Sequence, residues 1–203
     1  MSDSKLDKYR NTRDFDTTGE PSGKTMDGSD QTLLFVIQKH DATSLHYDFR
    51  IEVDGVLKSW AVPKGVSTDP REKRLAMPTE DHPLEYGDFE GVIPKDEYGG
   101  GTVLLWDRGT YKNLKEDDDG QPIPMAQCLE GGHATIFLKG EKIEGGYALI
   151  RTDTGKNERW LLVKMDDEKA DARRNPVSTE PLSVVSGRDL QNIVEDGEND
   201  EAD

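Results

Sequence analysis

The segment Leu45-His-Tyr-Asp-Phe-Arg-Ile-Glu-Val53, followed by Asp54-Gly55 and then Val56-Leu-Lys-Ser-Trp-Ala-Val62, decides the fold class. Side chains alternate across a β-strand with a period of two, so Leu45, Tyr47, Phe49, Ile51 and Val53 point one way and His46, Asp48, Arg50 and Glu52 the other. The first set is a core face. Asp-Gly is a strong two-residue hairpin signal, and the apolar run Val56–Val62 supplies the returning strand.

Working outward, Leu33–Lys39 precedes this hairpin as an apolar, partly β-branched strand. Thr102–Asp107, Gly109–Tyr111, His133–Leu138, Gly146–Arg151 and Trp160–Met165 follow it, with Lys139–Gly140 and Thr154–Gly155 as turns. Asn113–Gln127, with its acidic run and two prolines, reads as a long surface loop, and a short turn around Pro94–Tyr98 is the best helical candidate. Many short strands with Gly and Pro punctuation predict a mainly β fold, a compact β-barrel with short helical or turn segments. Three regions are expected: an N-terminal arm over residues 1–31, a barrel over 32–165, and an acidic tail over 166–203.

The chain has 203 residues, 33% hydrophobic, with a mean hydropathy of -0.81 and a net charge of -16. Residues 166–203 hold twelve Asp/Glu against four Lys/Arg and few large apolar side chains, so the tail is expected to be disordered. The arm, rich in Gly, Ser, Thr and Asp, reads as polar rather than packed. No apolar run approaches a bilayer span, and no signal-peptide pattern opens the chain. The single cysteine, Cys128, excludes an intramolecular disulfide framework and fits a reducing cytoplasm. Non-specific nucleic-acid binders carry basic surfaces, which this composition allows only locally.

The second face of Leu45–Val53 carries the chemistry. Residues two apart on one strand face lie roughly 6.5–7 Å apart. His46 and Asp48 can therefore converge on one metal ion, Arg50 can reach a neighbouring anion, and His40 can complete a three-ligand site. Arginine's planar fork suits phosphate oxygens, and a metal polarises the same group. His82 sits in the Pro-containing loop Glu80-Asp-His-Pro-Leu-Glu-Tyr86, with Arg74 upstream and Tyr86 four residues on; His133 opens an ordinary strand and reads as structural. Three other readings stay open on the residues alone. One is a surface salt-bridge cluster worth about 0–1 kcal/mol. Another is a two-His-one-carboxylate Fe(II) oxygenase using His46, Asp48 and His82, against which the arginines argue for an anionic substrate. The last is a non-catalytic DNA-end-binding module with a structural metal.

Several blocks, in order, carry a family resemblance: Phe35-Val-Ile-Gln-Lys-His40, Leu45-His-Tyr-Asp-Phe-Arg50, Ser59-Trp-Ala-Val-Pro-Lys-Gly65, Asp81-His-Pro-Leu-Glu-Tyr86, Phe89-Glu-Gly-Val-Ile-Pro94, Glu97-Tyr-Gly-Gly-Gly101 and Trp160-Leu-Leu-Val-Lys164. Together with Arg13-Asp-Phe15 and Glu20-Pro21, they resemble the 3′-phosphoesterase module of bacterial DNA ligase D. Ser183–Ile193 is similar to the linker that leads into the ligase domain in fused proteins, so the chain is expected to be a stand-alone member acting beside a separate DNA ligase. The resemblance implies a β-barrel, a divalent metal (manganese by preference), and 3′-end healing in non-homologous end joining. In that activity a terminal 3′ ribonucleoside is removed, then the 3′-phosphate is hydrolysed to a 3′-hydroxyl. Carried over by motif, His40, His46 and Asp48 would ligate the metal. Arg50, His82 and Tyr86 would contact the scissile phosphate, joined less firmly by Arg74, with His82 as general acid or charged clamp. Arg13, Asp14 and Glu20 would belong to an arm closing over the site, Glu20 engaging the ribose. The implied partners are DNA or primer–template 3′ ends bearing a 3′-phosphate or ribonucleotide; the implied location is the cytoplasm, with no membrane involvement.

Overall fold

The computed structural model describes residues 3–23, 33–155 and 157–200. Nine strands dominate: β1 Leu33–Asp41, β2 Leu45–Val53, β3 Val56–Val62, β4 Lys73–Pro78, β5 Gly91–Ile93, β6 Gly101–Asn113, β7 His133–Gly140, β8 Glu144–Asp153 and β9 Arg159–Lys164. Each pairs antiparallel with its neighbour in the order β1-β2-β3-β4-β9-β8-β7-β6-β5, and a further β1–β6 pairing closes eight of them into a barrel. β5 extends the edge of β6 beside the closure. Closure leaves the eight strands no free edge, which is how an antiparallel sheet avoids templating other chains.

The hairpin falls where the sequence places it. Asp54 and Gly55 both have positive φ, 49° and 78°, the left-handed pair that matches the twist of the flanking strands. Phe35 and Ile37 of β1, Phe49 and Ile51 of β2, and Trp60 and Trp106 fill the barrel interior. Trp106 is the extra residue of a bulge in the β1–β6 pairing, where Ile37 faces Asp107 but Gln38 faces Leu105. The expected break between Thr102–Asp107 and Gly109–Tyr111 does not occur; one strand runs through both. Strands β4 and β5 escape the sequence reading because only Ala76 of β4 is buried and β5 has three residues. The expected loop 113–127 ends in a helix, Met125–Glu130, whose Met125, Cys128 and Leu129 pack into the core.

The two ends of the chain correct the expectation most. The arm is packed: short helices α1 (Asp7–Asn11) and α2 (Phe15–Thr18) follow a 3₁₀ turn, and Leu6 and Tyr9 are buried. Tyr9 covers the outer side of the barrel wall, where Val36, Leu57 and Leu105 form a second apolar cluster with Tyr86 from the 3₁₀ segment Leu84–Asp88. The tail from 166 to 196 is packed too, rather than disordered. Val177, Leu190 and Ile193 join the main core, and Ile193 is only 3% exposed. Glu180 O accepts from Trp106 Nε1 at 2.7 Å, and Thr68 Oγ1 donates to Asp171 O and Arg174 O at 2.8 and 2.9 Å. Its charges find partners on the barrel, Asp167 with Lys164, Lys169 with Glu144 and Arg188 with Glu90. Charge counting misreads such a strap, because a few well-placed apolar side chains and backbone bonds suffice to hold it. Among the described residues no helix is long and apolar enough to cross a membrane.

Candidate active site

Strand register assembles the site on the outer wall of β1, β2 and β3. In the β1–β2 ladder His40 lies opposite His46, Gln38 opposite Asp48 and Val36 opposite Arg50; across β2–β3, Arg50 lies opposite Ser59. Directly opposed residues are the closest side-chain neighbours a sheet offers. The His40 and His46 rings accordingly sit 4.8 Å apart, and Asp48 lies between them, 3.6 Å from His40 Nδ1 and 3.6 Å from His46 Nε2.

One ligand atom from each of His40, His46 and Asp48 falls within 4.8 Å of the other two. His46 Nδ1 lies 2.9 Å from Ser44 O, a carbonyl that can only accept. A ring proton therefore sits on Nδ1, and Nε2 is the nitrogen directed at Asp48. His40 Nε2 is buried without a hydrogen-bond partner. Two imidazoles and a carboxylate, with an orphaned ring nitrogen among them, fit a divalent transition metal with open positions.

Arg50 ties this cluster to the rest of the site. It is 2% exposed, and donates from Nε to Gln38 Oε1 at 2.7 Å, from Nη1 to Ser59 Oγ at 2.9 Å, and from Nη2 to Asp48 Oδ2 at 2.9 Å. Nη1 also lies 2.9 Å from His82 Nδ1. Three of its five N–H groups thus have acceptors, while His82 Nδ1 also lies 2.9 Å from the Glu80 carbonyl. The guanidinium stands 4.9 Å from the centre of the Tyr86 ring, and His82 is 4.7 Å from the same ring. Arg13 reaches over from the arm, donating from Nε to Glu20 Oε1 at 2.9 Å and from Nη2 to Glu80 Oε1 at 3.0 Å, with Nη2 3.3 Å from His82 Nε2. The metal-type trio, Arg50, Arg13, Glu80, His82 and Tyr86 line one cleft of about 180 Å³ with Thr79, Ile93, Tyr98 and Gly99.

Residues 38–151, more than half the sequence, match the DNA Ligase D 3′-phosphoesterase domain. The chain belongs to that family. A multifunctional non-homologous end joining protein LigD from Pseudomonas aeruginosa is 49% identical over 91% of this chain, and a Mycolicibacterium smegmatis protein of the same name is 43% identical over 90%. The Mycobacterium tuberculosis multifunctional non-homologous end joining DNA repair protein LigD is 46% identical over 81%. The chain spans about a fifth of the length of these relatives. The matched phosphoesterase segment holds His40, His46, Asp48, Arg50, His82 and Tyr86, whereas Arg13, Asp14 and Glu20 precede it.

The remaining expected residues of this phosphoesterase domain are placed differently. Arg74 does not line the cleft: β4 pairs with β9 at this position, and Arg74 bonds Glu72 at 2.5 Å. Asp14 caps α2, accepting from Asp16 N at 3.1 Å. Glu20 has a side chain 0% exposed and lies behind Arg13, so it acts on the cleft through that arginine. Sequence reasoning missed Gln38, Ser59, Glu80 and Tyr98. Gln38 and Glu80 each stand two residues from a chosen histidine, on the same side of an extended chain, and that spacing was the available signal.

Burial and charge set the protonation states. Burial alone would raise the Asp48 carboxyl, but Arg50, His40 and His46 outweigh it and hold the group below the usual carboxylate range. Burial, then Arg50 and Arg13, push His82 well below the ordinary imidazole value. With a guanidinium at each ring nitrogen, His82 is a neutral ring. Burial likewise raises Tyr86 well above the usual phenol range, keeping its hydroxyl protonated.

Proposed function

We propose that the chain is a manganese-dependent DNA 3′-phosphoesterase that heals 3′ ends, acting as a 3′-ribonuclease that leaves a 3′-phosphate and then as a 3′-phosphatase that leaves a 3′-hydroxyl. The observation that carries this reading is Arg50, which bonds Asp48 of the metal-type trio and His82 of the opposite wall at 2.9 Å each. A phosphate seated there meets both sets of groups at once.

His40, His46 and Asp48 would hold the metal, which when bound supplies positive charge to phosphoryl oxygens. The chain's own residues do the rest. The remaining Nη2 hydrogen of Arg50 is available to a non-bridging oxygen, and the donations to Gln38, Ser59 and Asp48 keep the guanidinium from reorienting as charge develops. Tyr86, protonated, donates. Of the two roles expected for His82, general acid or charged clamp, its lowered basicity between two arginines disfavours the clamp and leaves one ring N–H or lone pair to offer. Arg13 closes the cleft from the arm. An oxygenase triad through His82 is disfavoured, since both its ring nitrogens face arginines. The 3′-hydroxyl product is the end that a DNA ligase, on the same or another chain, consumes.

A labelled primer–template ending in a 3′-phosphate or in one ribonucleotide tests the proposal. With Mn²⁺ both ends should become 3′-hydroxyl, and EDTA should stop both. Full turnover in EDTA, or binding without phosphate release, overturns it.

A further inference from the structure

Five polar residues lining the cleft are buried: His40, Asp48, Arg50, Glu80 and His82. Tyr98 differs. Its side chain is 48% exposed at the mouth, beside a floor suited to phosphate. Large exposed aromatic faces next to anion-binding groups are the usual platform on which nucleobases stack, and they tolerate any base because every base has a π-face.

The ring is held in place rather than swinging free. Tyr98 Oη donates to Glu80 Oε2 at 3.2 Å, and the Arg13 guanidinium lies 5.4 Å from the ring centre. The loop behind it is pinned by close backbone packing. A Cβ on Gly100 would meet Pro94 O at 2.5 Å, and one on Gly101 would meet Asp41 O at 2.4 Å. Only glycines let this loop press against the end of β1, next to His40. Thr17 of the arm, 3.4 Å from Glu97, touches the same loop from the other side. A platform fixed in this way loses little side-chain freedom when a ligand covers it.

We infer that Tyr98 is the stacking platform for the base of the 3′-terminal nucleotide, positioning any of the four bases while the phosphate sits between Arg50 and the metal-type trio. The inference rests on the phosphoesterase reading of the cleft and adds how the nucleoside is held. Among the described cleft residues, Thr79 is the other exposed side chain, and one hydroxyl does not read base edges. Recognition is therefore by ring overlap, with Arg13 adding a cation–π contribution. Larger purines should be held better than pyrimidines.

Tyr98 serves as a positioning residue, and the test separates stacking from support of Glu80. An oligonucleotide with 2-aminopurine as its 3′-terminal base and a 3′-phosphate is titrated with the full chain in EDTA, where no turnover occurs. Stacking predicts fluorescence quenching of about two-fold or more with wild type and Tyr98→Phe, and its loss with Tyr98→Leu. With Mn²⁺, the KM advantage of a base-bearing end over an abasic 3′-phosphate end should shrink about ten-fold in Tyr98→Leu and persist in Tyr98→Phe. Absence of wild-type quenching, or equal loss in Phe and Leu variants, overturns the inference. Failure of wild type to release phosphate from either end strikes the phosphoesterase reading instead, and the quenching result still decides the stacking.

Discussion

Arg50 Nη1 lies 2.9 Å from His82 Nδ1, and Arg13 Nη2 lies 3.3 Å from the same ring's Nε2. A histidine flanked in this way resists protonation in the folded state but not in the unfolded chain. The consequence is a pH-dependent stability with a definite sign. The folded pKa of His82 is depressed, so the unfolded state takes up the proton first as pH falls through about 6.5. Stability is full above that pH and declines below it, by at most about 1.4 kcal/mol per pH unit for one group. Asp48, also depressed, acts in a lower window, losing its contribution only as pH falls below about 4. Urea unfolding in EDTA at pH 7, 6 and 5 should show His82→Asn with a shallower decline than wild type. Equal slopes would mean that His82 takes up its proton as readily in the folded protein as in the unfolded chain.

Arg50, expected from sequence on the site-bearing outer face of its strand, is buried there against Asp48. Arg50→Ala removes the main cation beside a buried carboxylate, and breaking such a pair costs about 3–5 kcal/mol. Phe49→Ala, on the opposite face, should cost a similar 3–5 kcal/mol through lost burial and a cavity. Arg50→Lys should restore part of the stability, because it returns the charge. It should leave phosphate release reduced by about 10²–10³-fold, because an ammonium cannot span Gln38, Ser59 and Asp48 together. Paired thermal melts and phosphate-release assays separate the two effects.

Metal binding should register in stability without any substrate. At a Mn²⁺ concentration 100 times its dissociation constant, wild type should gain about 2.7 kcal/mol, seen as a higher melting temperature that EDTA reverses. Asp48→Asn should lose most of this gain, since a neutral amide replaces the carboxylate flanked by His40 and His46. A variant that responds to Mn²⁺ as wild type does would place the ion elsewhere.

Glu20 should behave as an extension of Arg13. Its carboxylate is fully covered and bonds Arg13 Nε at 2.9 Å, and its second oxygen has no hydrogen-bond partner. Glu20→Ala and Arg13→Ala should therefore slow ribonucleoside removal and phosphate removal alike. A double-mutant cycle on stability should return a coupling of about 0.5–3 kcal/mol. An effect of Glu20→Ala confined to ribonucleotide ends would point to direct ribose contact after the arm moves.

The C-terminal strap should be part of the folding unit. Ile193→Ala should cost about 2–5 kcal/mol in urea unfolding, the range for emptying a buried aliphatic site. Truncation after Lys169 should cost more, because it also strips the carbonyl that Trp106 Nε1 bonds. Wild-type stability in the truncated chain would show that the strap contributes nothing.

What the sequence by itself determined is local and periodic. The alternation of Leu45–Val53 and the Asp54-Gly55 turn follow from backbone geometry within a few residues, so they placed His46, Asp48 and Arg50 on one face and the core residues on the other. His40 is legible for the same reason, since a three-residue connection sets it opposite His46. The tertiary structure decided that this face is covered rather than solvated. Tyr9 and Arg13 from the arm and His82 and Tyr86 from the loop come down on it across tens of residues, and Arg13 meets Glu80, 67 positions away in sequence, at 3.0 Å. It also decided that Arg74 faces elsewhere and that the acidic tail packs. Neither is visible to period or composition, because both depend on which distant strand or cation becomes the neighbour. The buried protonation states follow from the same long-range contacts, since a pKa responds to the charges and water a fold brings near, and not to the order of residues along the chain.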